Sequence, residues 1–132
     1  MGDLTKDFSR SEFACQCGCG CDASEVDMRL VNALQQLRDS LMLPIEVLSG
    51  CRCFAHNRVV GGTKASQHLF GKAADIRVDG VRVRTVYAIA QTIRAFRGFG
   101  IDDQKQFLHL DVRAGTMAHW CYKNGQQVGW HE

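Results

Sequence analysis

The stretch Ser66-Gln67-His68-Leu69-Phe70-Gly71-Lys72-Ala73-Ala74-Asp75 decides how the fold is interpreted. It places an imidazole and a carboxylate seven residues apart, with a glycine and two alanines between them. Glycine permits a tight turn at such a point. Further along, Phe107-Leu108-His109-Leu110-Asp111-Val112 supplies a second imidazole. Two histidines and one aspartate, with a fourth position open, are typical of a catalytic zinc site. The candidate metal ligands are therefore His68, Asp75 and His109.

The segment around His109 has the pattern of a strand. Residues i and i+2 of a strand share a face, so His109 and Asp111 are expected to point the same way. Polar side chains in an otherwise apolar strand need partners, because unpaired buried polar groups are costly. A metal is one such partner. A hydrogen bond between the two side chains, or to neighbouring backbone, is the other, and the pattern alone leaves both open.

Length and composition predict one soluble globular domain over residues 1–132. The chain is 45% apolar and 23% charged, with a formal net charge of +2. That charge is too small to indicate a nucleic-acid partner. No apolar stretch approaches the length of a membrane-spanning helix, so no membrane insertion is expected. The first residues lack the apolar core of a signal peptide, so we expect synthesis in the cytoplasm without a leader. We also expect a monomer.

The periodicity of apolar residues predicts an α+β fold, in which two helices pack on a small, mainly antiparallel sheet of four to six strands. One helix is expected from near Glu25 to Leu41, capped by Asp22 or Ser24. The other is expected from Arg84 to Phe96. The predicted strands cover residues 45–49, 74–78, 99–101 and 107–112. A hairpin is expected at Lys123-Asn124-Gly125-Gln126, within the tail formed by residues 116–132.

Seven cysteines complicate this picture, and four of them crowd the N-terminal segment formed by residues 1–23. Because the count is odd, at least one thiol lies outside any set of intrachain disulfides. Reduced thiols, disulfides and a second metal site all remain open, although the usual C-x-x-C spacing of thiolate zinc sites is absent. The cysteines are Cys15, Cys17, Cys19, Cys21, Cys51, Cys53 and Cys121.

The pattern Ser66-x-His68-x-x-Gly71-x-Ala73-x-Asp75 resembles the motif of the M15 zinc peptidases. That family includes D-alanyl-D-alanine carboxypeptidases and peptidoglycan-cleaving endolysins, and it shares its fold with the hedgehog signalling domain. Two further stretches resemble its short bacterial and phage branch. They are Ser49-Gly50-Cys51-Arg52 and His109-Leu110-Asp111-Val112-Arg113. The similarity covers roughly residues 8 to 115.

The resemblance implies a site and an activity. His68, Asp75 and His109 would hold Zn²⁺, and Arg52 would meet a carboxylate of the substrate. Ser66 and Gln67 would line the cleft. The implied activity is hydrolysis of an amide bond in the peptide stems of peptidoglycan, by a D-Ala-D-Ala carboxypeptidase or an L-Ala-D-Glu endopeptidase. The enzyme would act at the cell wall or in the periplasm, and a phage or prophage lysis enzyme would reach it with help from another protein.

One position departs from the family pattern. Many M15 enzymes place an acidic general base three residues before the last ligand histidine, and here that residue is Gln106. Asp111 is then the candidate general base, and Asp103 is a weaker candidate. In an alternative alignment, Asp111 is the metal ligand and His109 is the catalytic helper. The missing acid also keeps open a non-catalytic zinc-binding module that interacts with cell wall or protein.

Overall fold

The protein has an α+β fold, as the sequence predicts. The computed structural model describes residues 2–15, 26–50 and 67–130. Within them, two α-helices accompany a six-stranded sheet with the order β1-β2-β4-β3-β5-β6. No helix in these ranges is long and apolar enough to cross a membrane. The proposed helix caps Asp22 and Ser24 lie outside the described residues.

The sheet is antiparallel except for one neighbouring pair. Strands β3 and β5 run parallel, and every other pair is antiparallel. The hairpin predicted at Lys123–Gln126 is confirmed, because Asn124 and Gly125 both adopt the positive φ that a tight hairpin turn requires. The strands are β1 (Glu46–Ser49), β2 (Ala73–Arg77), β3 (Gly98–Asp102), β4 (Phe107–Asp111), β5 (Ala118–Lys123) and β6 (Gln126–Val128).

Helix α1 (Met28–Leu41) begins three residues later than the sequence suggested. Its N-cap is Asp27, whose side chain accepts a hydrogen bond from the backbone N–H of Arg29 at 2.8 Å. A side-chain acceptor at this position satisfies one of the donors that the first helical turn leaves unpaired. The helix ends as expected, at Leu41, and Met42 takes the left-handed conformation typical of a C-terminal cap.

Helix α2 (Val83–Ala90) is shorter than the predicted segment Arg84–Phe96. The apolar periodicity continues beyond Ala90, and Ile93 and Phe96 are buried, but the backbone there forms tighter turns. The hydroxyl of Thr92 donates to the carbonyl of Ile89 at 2.7 Å. Such local side-chain bonds compete with the helical pattern, which accounts for the early end.

The two faces of the sheet are unlike. Both helices pack on one face, where apolar side chains of β2, β3 and β4 meet them. Because side chains alternate along a strand, the residues between these core positions project from the opposite face. That second face carries Asp75 on β2, with His109 and Asp111 on β4. The core side chains of the three strands are Ala74, Ile76, Phe99, Ile101, Leu108 and Leu110.

Candidate metal centre

Three side chains predicted as metal ligands meet on the face of the sheet opposite the two described helices. Asp75 lies directly opposite His109 in the β2–β4 register. Its Oδ1 atom is 3.2 Å from Nε2 of His68 and 3.0 Å from Nδ1 of His109. One ligand atom from each residue lies within 4.8 Å of the others. Among the described residues, no fourth histidine, cysteine or carboxylate joins this group.

The imidazole of His68 contacts a backbone carbonyl outside its own turn. It lies in a 3-10 turn, Gln67–Phe70, that leads into β2, and its Nδ1 atom is 2.7 Å from the carbonyl oxygen of Gly50. A carbonyl only accepts hydrogen bonds, so Nδ1 carries the proton and Nε2 faces Asp75 with its lone pair. Gly71 then turns the chain with φ +67, as the sequence predicted. Its carbonyl accepts from the N–H of Asp27 at 2.8 Å, which ties the turn to the start of α1.

The two imidazoles have too few N–H groups for all their contacts, which is what a bound cation would explain. Both nitrogens of each imidazole face acceptors, namely the Gly50 carbonyl, Asp75 and Asp111. A neutral imidazole has one N–H, so two neutral rings supply protons for only two of these four contacts. A metal ion beside Asp75 would accept the lone pairs of the remaining two nitrogens, which are Nε2 of His68 and Nδ1 of His109. Imidazole nitrogen and carboxylate oxygen are ordinary zinc ligands.

The metal-free electrostatics show how strongly the three groups interact. Burial would raise the pKa of Asp75. When no metal is bound and the imidazoles carry the extra protons, the charge of His68 and hydrogen bonds from both rings outweigh burial and hold that pKa well below its usual range. Burial would lower the pKa of His109, yet its hydrogen bonds to Asp111 and Asp75 raise it. A carboxylate that stays ionised inside the protein is a strong attraction for a cation.

Asp111 lies beside the cluster and is fully buried. Its Oδ2 atom is 2.7 Å from Nε2 of His109 and 2.7 Å from Nη2 of Arg113. Its Oδ1 atom accepts from Nε of Arg113 at 2.9 Å and from the backbone N–H of the same residue at 3.1 Å. Burial would raise the pKa of Asp111, but the bonds from His109 and Arg113 keep it well below its usual range.

Two glycines of β3 make room for these groups. Gly98 faces Asp111 and Gly100 faces His109 in the β3–β4 register. A Cβ atom at Gly98 would overlap the Asp111 carboxylate, and one at Gly100 would overlap the indole of Trp120. Trp120 extends across Gly100 from β5, so that its ring lies 4.9 Å from the ring of His109.

Arg113 lies between Asp111 and Trp120 and contacts both. Its guanidinium carbon lies 5.1 Å from the ring centre of Trp120, within the range of a cation–π contact. The side chain is therefore held by Asp111 through hydrogen bonds and by Trp120 through its ring face. The sequence did not identify Arg113, Trp120 or the two glycines as site residues. The available signal was the alternation in Gly98-Phe99-Gly100, which puts small residues on one face and an apolar residue on the other.

Gln106, at the position of the family's acidic base, and Asp103, the weaker candidate base, make their side-chain contacts elsewhere. Gln106 accepts from the N–H of Val83 at 2.9 Å and donates to the carbonyl of Asp103 at 2.7 Å, so its side chain joins the β3–β4 turn to α2. The carboxylate of Asp103 pairs with Arg84 of α2 at 2.9 Å. Both residues therefore contact the helix that packs on the opposite face of the sheet.

The remaining predicted site residues are divided between described and undescribed parts of the chain. Gln67 begins the 3-10 turn that carries His68 and is half-buried. Arg52 and Ser66 lie outside the described residues. Of the cysteines, Cys15 and Cys121 are buried, and the other five fall outside the described ranges.

A buried His-Asp-His set, on the face of a small sheet opposite the two described helices, defines an α+β protein with a candidate metal site. Comparison with known families makes the class specific. The model of the family described as Peptidase M15 matches residues 6–111, so the chain belongs to that family. The matched region contains all three candidate ligands and Asp111.

The chain is similar to curated proteins named peptidoglycan L,D-endopeptidase MepK. The protein of Escherichia coli strain K12 is 29% identical over 102 residues, which cover 72% of this chain and 54% of the relative. The protein of Shigella flexneri matches with the same identity and coverage. The chain thus spans about half the length of the curated relatives it matches.

Proposed function

We propose that this protein is a zinc-dependent peptidase that hydrolyses an amide bond in the peptide stems of peptidoglycan. The observation that carries the proposal is the convergence of His68, Asp75 and His109 within 4.8 Å, in a chain of the M15 peptidase family. The name of the matched relatives supports peptidoglycan as the substrate. On this proposal the protein works as a monomer at the cell wall, and nucleic acid is not a partner.

The chain's own residues would divide the work as follows. Nε2 of His68, Oδ1 of Asp75 and Nδ1 of His109 would hold the ion. When bound, zinc supplies Lewis-acid chemistry and activates water. The sheet provides a rigid base, because two of the three ligands lie opposite each other on paired strands. Arg52, Ser66 and Gln67 stay the proposed substrate-binding residues, with Arg52 suited to bidentate pairing with a carboxylate.

The name of the relatives supports a finer specificity. Their name describes an L,D-endopeptidase, which favours an internal cut in the stem over removal of a terminal D-alanine. A lysis enzyme of phage or prophage origin is a narrower form of the same proposal. It would require delivery to the wall by another protein.

The test uses the purified chain loaded with zinc and intact peptidoglycan. We expect new free amino groups, and mass spectrometry of the products identifies the bond that was cut. Activity should disappear with chelator and in the variant His68→Ala. The matched control is Glu46→Gln, which removes an exposed carboxylate that pairs with Arg77 and should leave hydrolysis unchanged. A zinc-loaded chain that releases no amino groups at high concentration would contradict the proposed peptidase.

A non-catalytic zinc-binding module is the second candidate, and one observation favours it. In the described part of the chain, both oxygens of Asp111 are engaged and the side chain of Gln106 bonds to α2. Zinc binding together with retention on purified cell wall, but without cleavage, would support this candidate over the enzyme.

A further inference from the structure

Asp111 and Asp75 contact different ring nitrogens of His109. Its Oδ2 atom lies 2.7 Å from Nε2 of His109, and an ionised carboxylate only accepts hydrogen bonds. Nε2 must therefore carry the ring proton. The other nitrogen, Nδ1, then presents its lone pair toward Asp75, 3.0 Å away. Loss of the Asp111 contact would leave the ring free to change its tautomer and its orientation.

Asp111 is itself held from two directions. Arg113 reaches both carboxylate oxygens, through Nε at 2.9 Å and Nη2 at 2.7 Å, and its backbone N–H adds a third bond. The carboxylate has no solvent exposure. A general base must reach the proton it removes, directly or through one water molecule. An Asp111 oxygen would have to break an existing contact to do so, which speaks against the role expected from the sequence.

Gly98 makes this arrangement possible. It pairs with Asp111 across β3 and β4, and a Cβ atom there would overlap the carboxylate. Since the overlap involves a buried group held by several bonds, the carboxylate could not move aside cheaply. The position of Asp111 thus depends on a residue with no side chain, two positions from Gly100, which makes room for Trp120.

We propose that Asp111 is a positioning residue, fixed by Arg113 and Gly98, that holds His109 with Nδ1 directed at the metal. This inference rests on the zinc site of the proposed function and deepens it. Partners of metal-bound histidines set the tautomer and orientation of the ring, and their loss weakens metal affinity about 10- to 100-fold.

Zinc affinity separates positioning from proton transfer. The first variant is Asp111→Asn, which keeps the size of the side chain. The second is Gly98→Ala, which leaves the carboxylate chemically intact and displaces it. Gly129→Ala is the matched control, because a Cβ atom there meets nothing within 4 Å. Zinc dissociation constants are measured by competition with a chromophoric chelator, and near-UV circular dichroism checks that each variant is folded.

We expect zinc to bind about 10- to 100-fold more weakly to Asp111→Asn and Gly98→Ala, and equally to Gly129→Ala and the native chain. Nitrogen-15 shifts of His109 in the native chain should show the proton on Nε2. Unchanged zinc affinity in folded Asp111→Asn, together with lost hydrolysis, would overturn the inference and restore the general base. If the native chain binds zinc but does not cleave peptidoglycan, the proposed function fails, while weaker binding by Asp111→Asn still supports positioning.

Discussion

The side chain of Gln106 accepts a hydrogen bond from the backbone N–H of Val83 at 2.9 Å, and so ties the β3–β4 turn to the first residue of α2. Gln106 stands where many M15 enzymes have an acidic base. Its contacts show that, in this chain, the position serves the attachment of a helix. Variants at this residue should therefore affect stability more than chemistry.

Replacing Gln106 by Glu should not increase hydrolysis. The carboxylate would still accept from Val83, where a negative charge near a helix N-terminus is favourable. Gln106→Ala should lower the free energy of unfolding by about 1 kcal/mol, because one hydrogen bond is lost at each end of the side chain. Urea denaturation and steady-state hydrolysis measure the two effects. A rise in kcat of roughly tenfold in Gln106→Glu, about 1.4 kcal/mol in the barrier, would mean that the side chain reaches the reacting groups.

Replacing Arg113 by Gln should destabilise the protein by about 2–3 kcal/mol. The variant leaves the buried carboxylate of Asp111 without its main cation, and an unsatisfied buried charge is expensive. Arg77→Gln is the matched control, because Arg77 pairs with Glu46 at 2.8 Å while both side chains are about half exposed, at 45% and 54%. Exposed pairs contribute little, so this control should cost less than about 0.5 kcal/mol. Equal losses in urea denaturation would contradict the structural role of Arg113.

The N-cap Asp27 should make the stability of the protein depend on pH. Hydrogen bonds from Arg29 lower the pKa of this carboxylate, although partial burial opposes them. Because the folded pKa lies below the unfolded one, the stabilisation is present above the unfolded value and is lost as pH falls through the folded value. Asp27→Asn retains a good capping side chain without the charge. The native chain should lose more unfolding free energy than this variant between about pH 6 and about pH 2.

Asp27→Ala isolates the cap itself. It should lower the unfolding free energy by about 1 kcal/mol at neutral pH, since a capping acceptor is lost. The measurement is the same urea titration. If the native chain and Asp27→Asn show the same pH dependence, the carboxylate of Asp27 contributes nothing through its ionisation.

Zinc should raise the thermal midpoint of unfolding. A ligand at a hundred times its dissociation constant adds about 2.7 kcal/mol to a protein that binds it only when folded. For a chain of this size that corresponds to a shift of roughly 10 °C. The shift should reverse with chelator and vanish in His68→Ala. Magnesium is the control ion, because it prefers oxygen ligands and would gain little from two imidazoles. An equal shift with magnesium would contradict a zinc-type site.

The sequence predicts those parts of the fold and the site that are local along the chain. Helix α1 follows from apolar residues at intervals of three and four, and its end at Leu41 was correctly placed. His68 and Asp75 belong to one motif, and His109 and Asp111 share a strand face by simple alternation. The exact start of α1 was missed, because two earlier polar residues looked equally able to cap it.

The support around His109 could not be predicted, because it depends on the order of the strands. Trp120 contacts His109 because β5 pairs in parallel with β3 and because the residue between the two rings, Gly100, has no side chain. Nothing in local periodicity indicates that neighbour relationship. The contacts of Asp111 could not be predicted for a similar reason, because the bidentate pairing with Arg113 depends on the path of the backbone after β4.

The glycines of β3 have a consequence for any attempt to make this protein more robust. Glycine weakens a strand, so Gly98 and Gly100 are positions where a β-branched residue would ordinarily be expected to increase stability. Here the same substitutions would push Asp111 and Trp120 away from His109. Selection for stability alone would therefore favour larger side chains at Gly98 and Gly100, and would lose the arrangement around His109.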